Sequence, residues 1–465
     1  MRHGLSKLVG LLSSVGVLAA CGGVNNFSSP AMPAAALRAA PPLARTDPQQ
    51  PLISRAASGG VFHETGVATS SETVLYSFAG GSDGAVPAND VLLALNGKFY
   101  GITRSGGGSG CGGSGCGTVF KATSSGGETV LYRFQGGYDG RYPKGGLVER
   151  NGVLYGTTQG GGSYGGGTFF KVTTAGKETV LHNFGAVVRS GYDGYSPYGR
   201  LIYVAATGKF YGTTISGGIA TCGCGTVFSV TPSGKETILH SFAGAPDGNF
   251  LTGSLIYNNG YLYGTSQLGG SGNASACTGT SGVVGCGTIF RVSTSGAEKV
   301  LYNFTGGADG AFPDAGLIDV SGKFYGMTGG GFTSSGCDPN CGNVFSVTTS
   351  GTLHVIHTFA GPPSDGASPF GNLTNVKGVL YGATQYGGSD TACPGFSGVT
   401  GCGVVFRVTT SGKERVLYSF QGSPDGSTAQ TSLLESGGVL YGTTDFGGSG
   451  CAPSGGCGTI FSITP

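Results

Sequence analysis

The chain has no tryptophan, only three methionines and six histidines, and 10% charged residues over 465 positions. Its formal net charge is +2, so there is no basic stripe to neutralise phosphates, and a nucleic-acid partner is not expected. The few histidines and the scattered serines form no nucleophile elbow with partners, and no glycine-rich stretch carries the lysine of a phosphate-binding loop. No catalytic residue, cofactor or metal site is therefore expected from motifs. Only one apolar stretch approaches membrane length, Leu8 to Ala20, and it is too short to span a bilayer.

That stretch follows Arg2, His3 and Lys7 and ends Leu18-Ala19-Ala20-Cys21. A positive start, a short apolar run and small residues before a cysteine describe an export signal. The end resembles the lipobox of bacterial lipoproteins, which implies cleavage before Cys21 and lipidation of it. With Gly22 after the cysteine, the resemblance points to a cell-envelope protein held at the outer membrane or cell surface. Residues 1–20 are thus expected to be the signal and 21–58, rich in Ala, Pro and Ser, a tether that cannot bury a core.

Glycine is abundant instead, 96 residues, and it recurs at fixed places. One unit repeats seven times: L-Y-S-F, an Asp-Gly turn, Y-G-T-T, a Gly-rich loop, then G-T-V-F. The closing phenylalanine of its first strand falls at Phe78, Phe134, Phe184, Phe242, Phe304, Phe359 and Phe420. In one copy, Leu147–Arg150, the Asn151-Gly152 turn, Val153–Thr158, Gly167–Val172 and Glu178–Phe184 read as four antiparallel strands. A repeat of 50 to 62 residues made of short strands predicts an all-β, seven-bladed β-propeller over 59–465 rather than a solenoid with its shorter coils. The last copy lacks its outermost strand, and the first begins with one, Glu72 to Phe78. The two ends are expected to complete one blade, with Glu72–Phe78 against Gly458–Ile463, leaving no open sheet edge. A G-V-F at Gly60 to Phe62 hints at one more strand-like piece.

The combined pattern L-Y-x-F, D-G-x-x-P, L-Y-G-T-T-x-x-G-G, G-T-V-F resembles the bacterial tandem repeat called GloVer, over roughly 72–465. The resemblance implies an exported protein tethered by its own anchor, here the Cys21 lipid, and brings no catalytic residue. The proline of D-G-x-x-P is replaced by Leu251 and Ala429 in two copies, and the fifth copy reads Tyr325-Gly326-Met327-Thr328.

Thirteen cysteines are present. Beside Cys21 they form six local pairs: Cys111/Cys116, Cys222/Cys224, Cys277/Cys286, Cys337/Cys341, Cys393/Cys402 and Cys451/Cys457. Each pair lies in the loop before the third strand, and only the second copy has none. In an exported chain this predicts six intraloop disulfides, with zinc as the alternative and Cys222/Cys224 the hardest to close. These short rings are expected to clamp the loop face only, with inter-blade cores that do not depend on them.

The ring of Asp83, Asp139, Asp193, Asp247, Asp309, Asp365 and Asp425 can be read as calcium ligands or as turn chemistry. Presence in every copy favours turns. His182, His240 and His357 take the slot that Tyr76, Tyr132, Tyr302 and Tyr418 fill elsewhere, and read as packing residues. The crossovers that lead to each innermost strand should rim the central channel on the face that also carries the cysteine loops. Their residues vary: Asn89, Asp90, Lys144, Arg200, Ser254, Asp314, Asn372 and Gln430. Three functions remain open: an envelope module binding a protein or glycan through its loop face, a propeller enzyme acting on an extracellular polymer, or a structural envelope protein.

Overall fold

A computed structural model describes residues 70–465, apart from loop stretches at 89–91, 189–190, 220–221, 273–276, 278–284, 331, 334–335, 338–340, 391–392, 394–398 and 452–454. The signal, the tether, Cys21 and Gly60 to Phe62 lie outside the described residues, as do Asn89 and Asp90. Among the described residues, no helix is long and apolar enough to cross a membrane.

Seven small antiparallel sheets form a seven-bladed propeller. Blade 1 consists of Leu93–Leu95, Lys98–Ser105, Thr118–Ala122 and Glu128–Arg133, from the innermost strand outward. The same order recurs through blade 6. Blade 7 takes Leu434–Ser436, Val439–Thr444 and Thr459–Ile463 from the C-terminus and Glu72–Ser77 from the start, with Glu72 opposite Ile463 and Ser77 opposite Thr459. The expected closure is therefore present.

The repeated motifs each have a physical reason. In Y-G-T-T the glycine pairs across the sheet with the phenylalanine of G-T-V-F, as Gly212 does with Phe228. The ring lies over it so closely that a Cβ on Gly212 would sit 2.7 Å from Phe228 Cζ. The second threonine bonds the threonine of the next strand in a dry setting: Thr103 to Thr118 at 2.9 Å, Thr158 to Thr168 at 2.9 Å, Thr444 to Thr459 at 2.8 Å. Burying these hydroxyls is tolerable because each has its partner. Asn151 and Gly152 both take positive φ, 54° and 77°, the backbone that a two-residue hairpin turn requires.

The blades are joined by phenylalanine pairs. The closing phenylalanine of one outermost strand meets the G-T-V-F phenylalanine of the following blade edge-on: Phe134–Phe170 at 5.1 Å, Phe184–Phe228 at 5.0 Å, Phe242–Phe290 at 4.9 Å, Phe304–Phe345 at 5.5 Å and Phe359–Phe406 at 5.0 Å. Phe420–Phe461 and Phe78–Phe120 complete the circle through blade 7. Edge-to-face contacts suit the quadrupoles of these rings, and all are shielded from water. The hydrophobic core is thus a ring of clusters between blades, such as the one joining Tyr211, Val227 and Phe242 to Leu262, Phe290 and Val292.

Candidate functional site

All twelve cysteines of the loop pairs are joined as expected by spacing, with Cα separations between 4.8 and 5.5 Å. Cys222 and Cys224 are included, at 5.2 Å. So are Cys337 with Cys341, at 4.8 Å, and Cys451 with Cys457, at 5.5 Å.

The structure corrects one expectation about these rings: they are not confined to the loop face. The second cysteine of every pair is buried in an inter-blade cluster. Cys341 packs there with Val344, Phe359 and Phe406, and Cys457 with Phe78, Phe120 and Ile460. Cys116, Cys224, Cys286 and Cys402 hold the same place in their own interfaces. The reason is position. This cysteine directly precedes the glycine that opens the third strand, so its side chain enters the core where that strand begins, and a disulfide sulfur is apolar enough to stay there. The loops are therefore riveted to the core at their base. Antiparallel topology brings them out on the same face as the crossovers.

The ring of aspartates is built as turn chemistry. Asp83 accepts from the Ala79 backbone N–H at 2.9 Å and from the Tyr76 hydroxyl at 2.8 Å. Asp139, Asp309 and Asp425 repeat both contacts with Tyr132, Tyr302 and Tyr418. In three blades histidine stands for the tyrosine. His182 Nε2 lies 3.1 Å from Asp193, His240 Nε2 3.2 Å from Asp247 and His357 Nε2 3.4 Å from Asp365. The histidines do not meet one another. Each instead faces the aspartate of the crossover that follows its strand and a glutamate of the next blade, an arrangement that spacing along the chain did not disclose.

On the axis, the crossovers converge. Lys144, Arg200, Ser254, Asp314 and Asn372 all line one cavity at the channel mouth, with Tyr198, Thr252, Phe370 and Ser432. Gln430 occupies the matching crossover but not the cavity wall. Three of the five chiefly join blades. Arg200 donates to the Leu147 carbonyl at 3.1 Å and its N–H to Ser254 Oγ at 3.0 Å, while Asn372 Oδ1 accepts from Gly316 at 2.7 Å.

Lys144 and Asp314 are different. Lys144 is buried, with its ammonium 4.6 Å from the Tyr198 ring centre. Burial, then Arg104, pushes its ionisation down, while Asp445 and Asp314 oppose that shift. Burial pushes the Asp314 and Asp445 carboxyls up, and Lys144 opposes both. Asp314 also accepts from Gln267 and Thr252. Two cations and two anions from blades 1, 2, 5 and 7 thus balance at the axis. Arg104, Asp445 and Gln267 were not read as members of this group because they sit in or just after the second strands of their blades rather than in the crossovers, and Tyr198 because its crossover was represented by Arg200 alone.

The mouth is narrow. Its cavity is about 30 Å³, room for a water or two. It is pinched by backbone: a Cβ on Gly145 would lie 2.6 Å from the Gly199 carbonyl oxygen, and one on Gly199 2.6 Å from that of Gly253. A wider hollow of about 480 Å³ lies beside the innermost strands of blades 3 and 4, lined by Tyr203 and Tyr257 among aliphatic residues, with Asp319 of blade 5 on its wall. Its signal was present in the sequence. The corresponding residue of the innermost strand is Ala94, Glu149, Asp319, Asn375 or Glu435 in the other five blades, and tyrosine only in these two.

The repeat can now be placed. A model of the Gloeobacter/Verrucomicrobia repeat matches residues 54–223, 112–331 and 276–397. The chain belongs to this family. No curated protein matches it by sequence. Among solved structures, this Gloeobacter/Verrucomicrobia repeat protein is similar to a gluconolactonase from Xanthomonas campestris, with 15% identity, 68% of this chain and 86% of that one covered, and a TM-score of 0.37. It is similar to the PQQ-bound aldose sugar dehydrogenase of Streptomyces coelicolor at 12% identity, with 85% and 98% covered and a TM-score of 0.38. A GH74 enzyme of Niastella koreensis matches at 12% identity, with 79% and 52% covered and a TM-score of 0.42. At such distances, none of these proteins lends this chain a site or a substrate.

Proposed function

We propose that this protein is a lipid-anchored propeller of the bacterial cell envelope that binds a protein or glycan through its loop-rich face. The observation that carries the reading is the set of six disulfide-clamped loops, gathered on one face and fixed at their base to the inter-blade core. Variable loops on a rigid frame suit recognition, because little ordering is required on binding. The channel mouth supports the same reading by its size: a 30 Å³ cavity with balanced charge suits a structural plug better than an active site for a polymer.

The anchor is tested by labelling cells with an alkyne fatty acid. Label should enter the protein and disappear in Cys21→Ser, with the variant moving to the soluble fraction. Label that persists in Cys21→Ser overturns the anchor. Binding is tested by thermal shift of the full chain against defined glycans and peptides, since a ligand of the folded state raises its melting temperature. Shifts that vanish in Cys337→Ser/Cys341→Ser and persist in Tyr203→Ala/Tyr257→Ala support the loop face. The reverse pattern moves binding to the tyrosine-lined hollow and overturns the proposal.

A further inference from the structure

Three of the seven blade interfaces differ chemically from the other four, and the difference has the form of a metal site. We propose that His182–Asp193–Glu236, His240–Asp247–Glu298 and His357–Asp365–Glu414 are inter-blade sites for a divalent transition-metal ion, with zinc the best match, each ion clamping one blade to the next.

The geometry supports this in several steps. In each group the imidazole, the aspartate and the glutamate of the following blade offer ligand atoms all within 4.8 Å of one another. The imidazole and aspartate atoms are 3.1, 3.2 and 3.4 Å apart. Two ligands of a tetrahedral zinc, each about 2.0–2.1 Å from the ion, sit roughly 3.3 Å apart, so this edge already has the right length. The glutamate oxygen must move inward by up to about 1.5 Å to reach the roughly 3.3 Å spacing of tetrahedral ligands, and water can complete the shell.

The rings are held in place. His182, His240 and His357 pack edge-on to Phe184, Phe242 and Phe359 with centroids 4.8, 4.6 and 4.8 Å away. Each aspartate is fixed by a backbone N–H: Gly185 at 2.7 Å, Ala243 at 3.1 Å and Ala360 at 2.8 Å.

Unsatisfied atoms separate the two kinds of interface only at the imidazole. Glu236 Oε1, Glu298 Oε1, Glu414 Oε1 and Asp247 Oδ1 are shielded from solvent without a hydrogen-bond partner, but so are Glu72 Oε1, Glu128 Oε1, Glu178 Oε1 and Asp425 Oδ1 at the tyrosine interfaces, whereas the shielded and unpartnered His357 Nε2 has no counterpart there. Such atoms are costly unless something satisfies them. One imidazole and two carboxylates suit zinc and its neighbours. They are too few for calcium, which takes six to eight oxygens.

The remaining interfaces serve as internal controls. At Tyr76–Asp83–Glu128, Tyr132–Asp139–Glu178 and Tyr418–Asp425–Glu72 the carboxylates recur, but a phenol that donates its proton to aspartate replaces the imidazole. At Tyr302–Asp309 the glutamate is missing as well: Leu353 pairs with Val347 where Glu298 pairs with Val292 one blade earlier.

The test uses the full chain, stripped with chelator, equilibrated with zinc and assayed for bound metal by mass spectrometry. The triple variant His182→Tyr/His240→Tyr/His357→Tyr adopts the residue of the other blades. It should fold in chelator with an unchanged circular dichroism spectrum and hold about three fewer ions per chain than the wild type. Zinc should raise the melting temperature of the wild type and not of the variant. Tyr132→His should add one ion, and Tyr302→His none, because Leu353 offers no ligand. If the triple variant does not fold, the three single variants replace it, each losing one ion. Equal zinc in wild type and variants overturns the proposal, as does an equal gain in Tyr132→His and Tyr302→His.

Discussion

The packing of Phe228 over Gly212 allows a sharp test of how the repeat holds its blades. Gly212 has ordinary backbone and its residue is set by space, so Gly212→Ala perturbs packing alone. The new Cβ would lie 2.7 Å from Phe228 Cζ and 2.7 Å from Leu201 Cδ2, in a core where both residues are almost wholly buried. Neither group can retreat, since Phe228 is also wedged edge-on against Phe184 at 5.0 Å. Overpacking of this kind costs about 1–3 kcal/mol. Phe228→Leu frees the space above the glycine at a cost of about 1–2 kcal/mol in lost apolar burial and ring contact. In the double variant the added methyl occupies that freed space, so the summed cost should fall short of additivity by about 1 kcal/mol. Guanidinium unfolding of oxidised protein, followed by tyrosine fluorescence and circular dichroism, measures all four corners of the cycle. A Gly212→Ala cost near zero, or a double variant additive within about 0.3–0.5 kcal/mol, would refute the steric account of the Y-G-T-T glycine.

Other consequences can be measured directly. Burial first, then Asp83, raises the Glu128 carboxyl to about 7, above its value in the unfolded chain. The folded state therefore holds that proton more tightly, and the contribution of Glu128 to stability is largest below about pH 4.5 and declines as pH rises towards 7. Glu128→Gln should leave stability at pH 5 nearly unchanged and raise it at pH 8 by about 1 kcal/mol, after discounting for the group's partial exposure; a loss of stability at pH 8 would refute it. Thiol titration of denatured, unreduced protein should find no free thiol among the twelve loop cysteines, and reduction should increase hydrogen exchange in the loops before the blades. Twelve reactive thiols in the denatured, unreduced protein would contradict the pairing. Deleting residues 1–80 removes the strand that pairs with Thr459–Ile463 and should lower the melting temperature well below that of a 1–58 deletion; equal melting would contradict closure by the two ends.

Much of the fold was legible because the repeat writes its local physics into each copy. Glycine before threonine, the Asn-Gly turn and the closing phenylalanine act within one blade or across one interface, so their meaning survives reading along the chain. Closure was legible too, because an unpaired outermost strand at one end and a missing one at the other admit a single economical match. The twelve loop cysteines pair with near neighbours, so proximity in sequence stood in for proximity in space. What only the tertiary structure decided depends on contacts between repeats. Spacing paired Cys341 and Cys457 with their partners, but only the packed interfaces show both sulfurs inside the core. Lys144 and Asp314 were expected at the channel rim, but only the closed ring brings Arg104 and Asp445, from strands of other blades, into their field. The size of the channel mouth follows from crossover backbones packed against one another, which no residue type announces. His182 and Glu236 are 54 positions apart, each unremarkable in its own strand, and become neighbours because the outermost strand of one blade lies beside that of the next. Sequence determined the blade, and the closed ring determined which charges, and which metal-ligating side chains, would face each other.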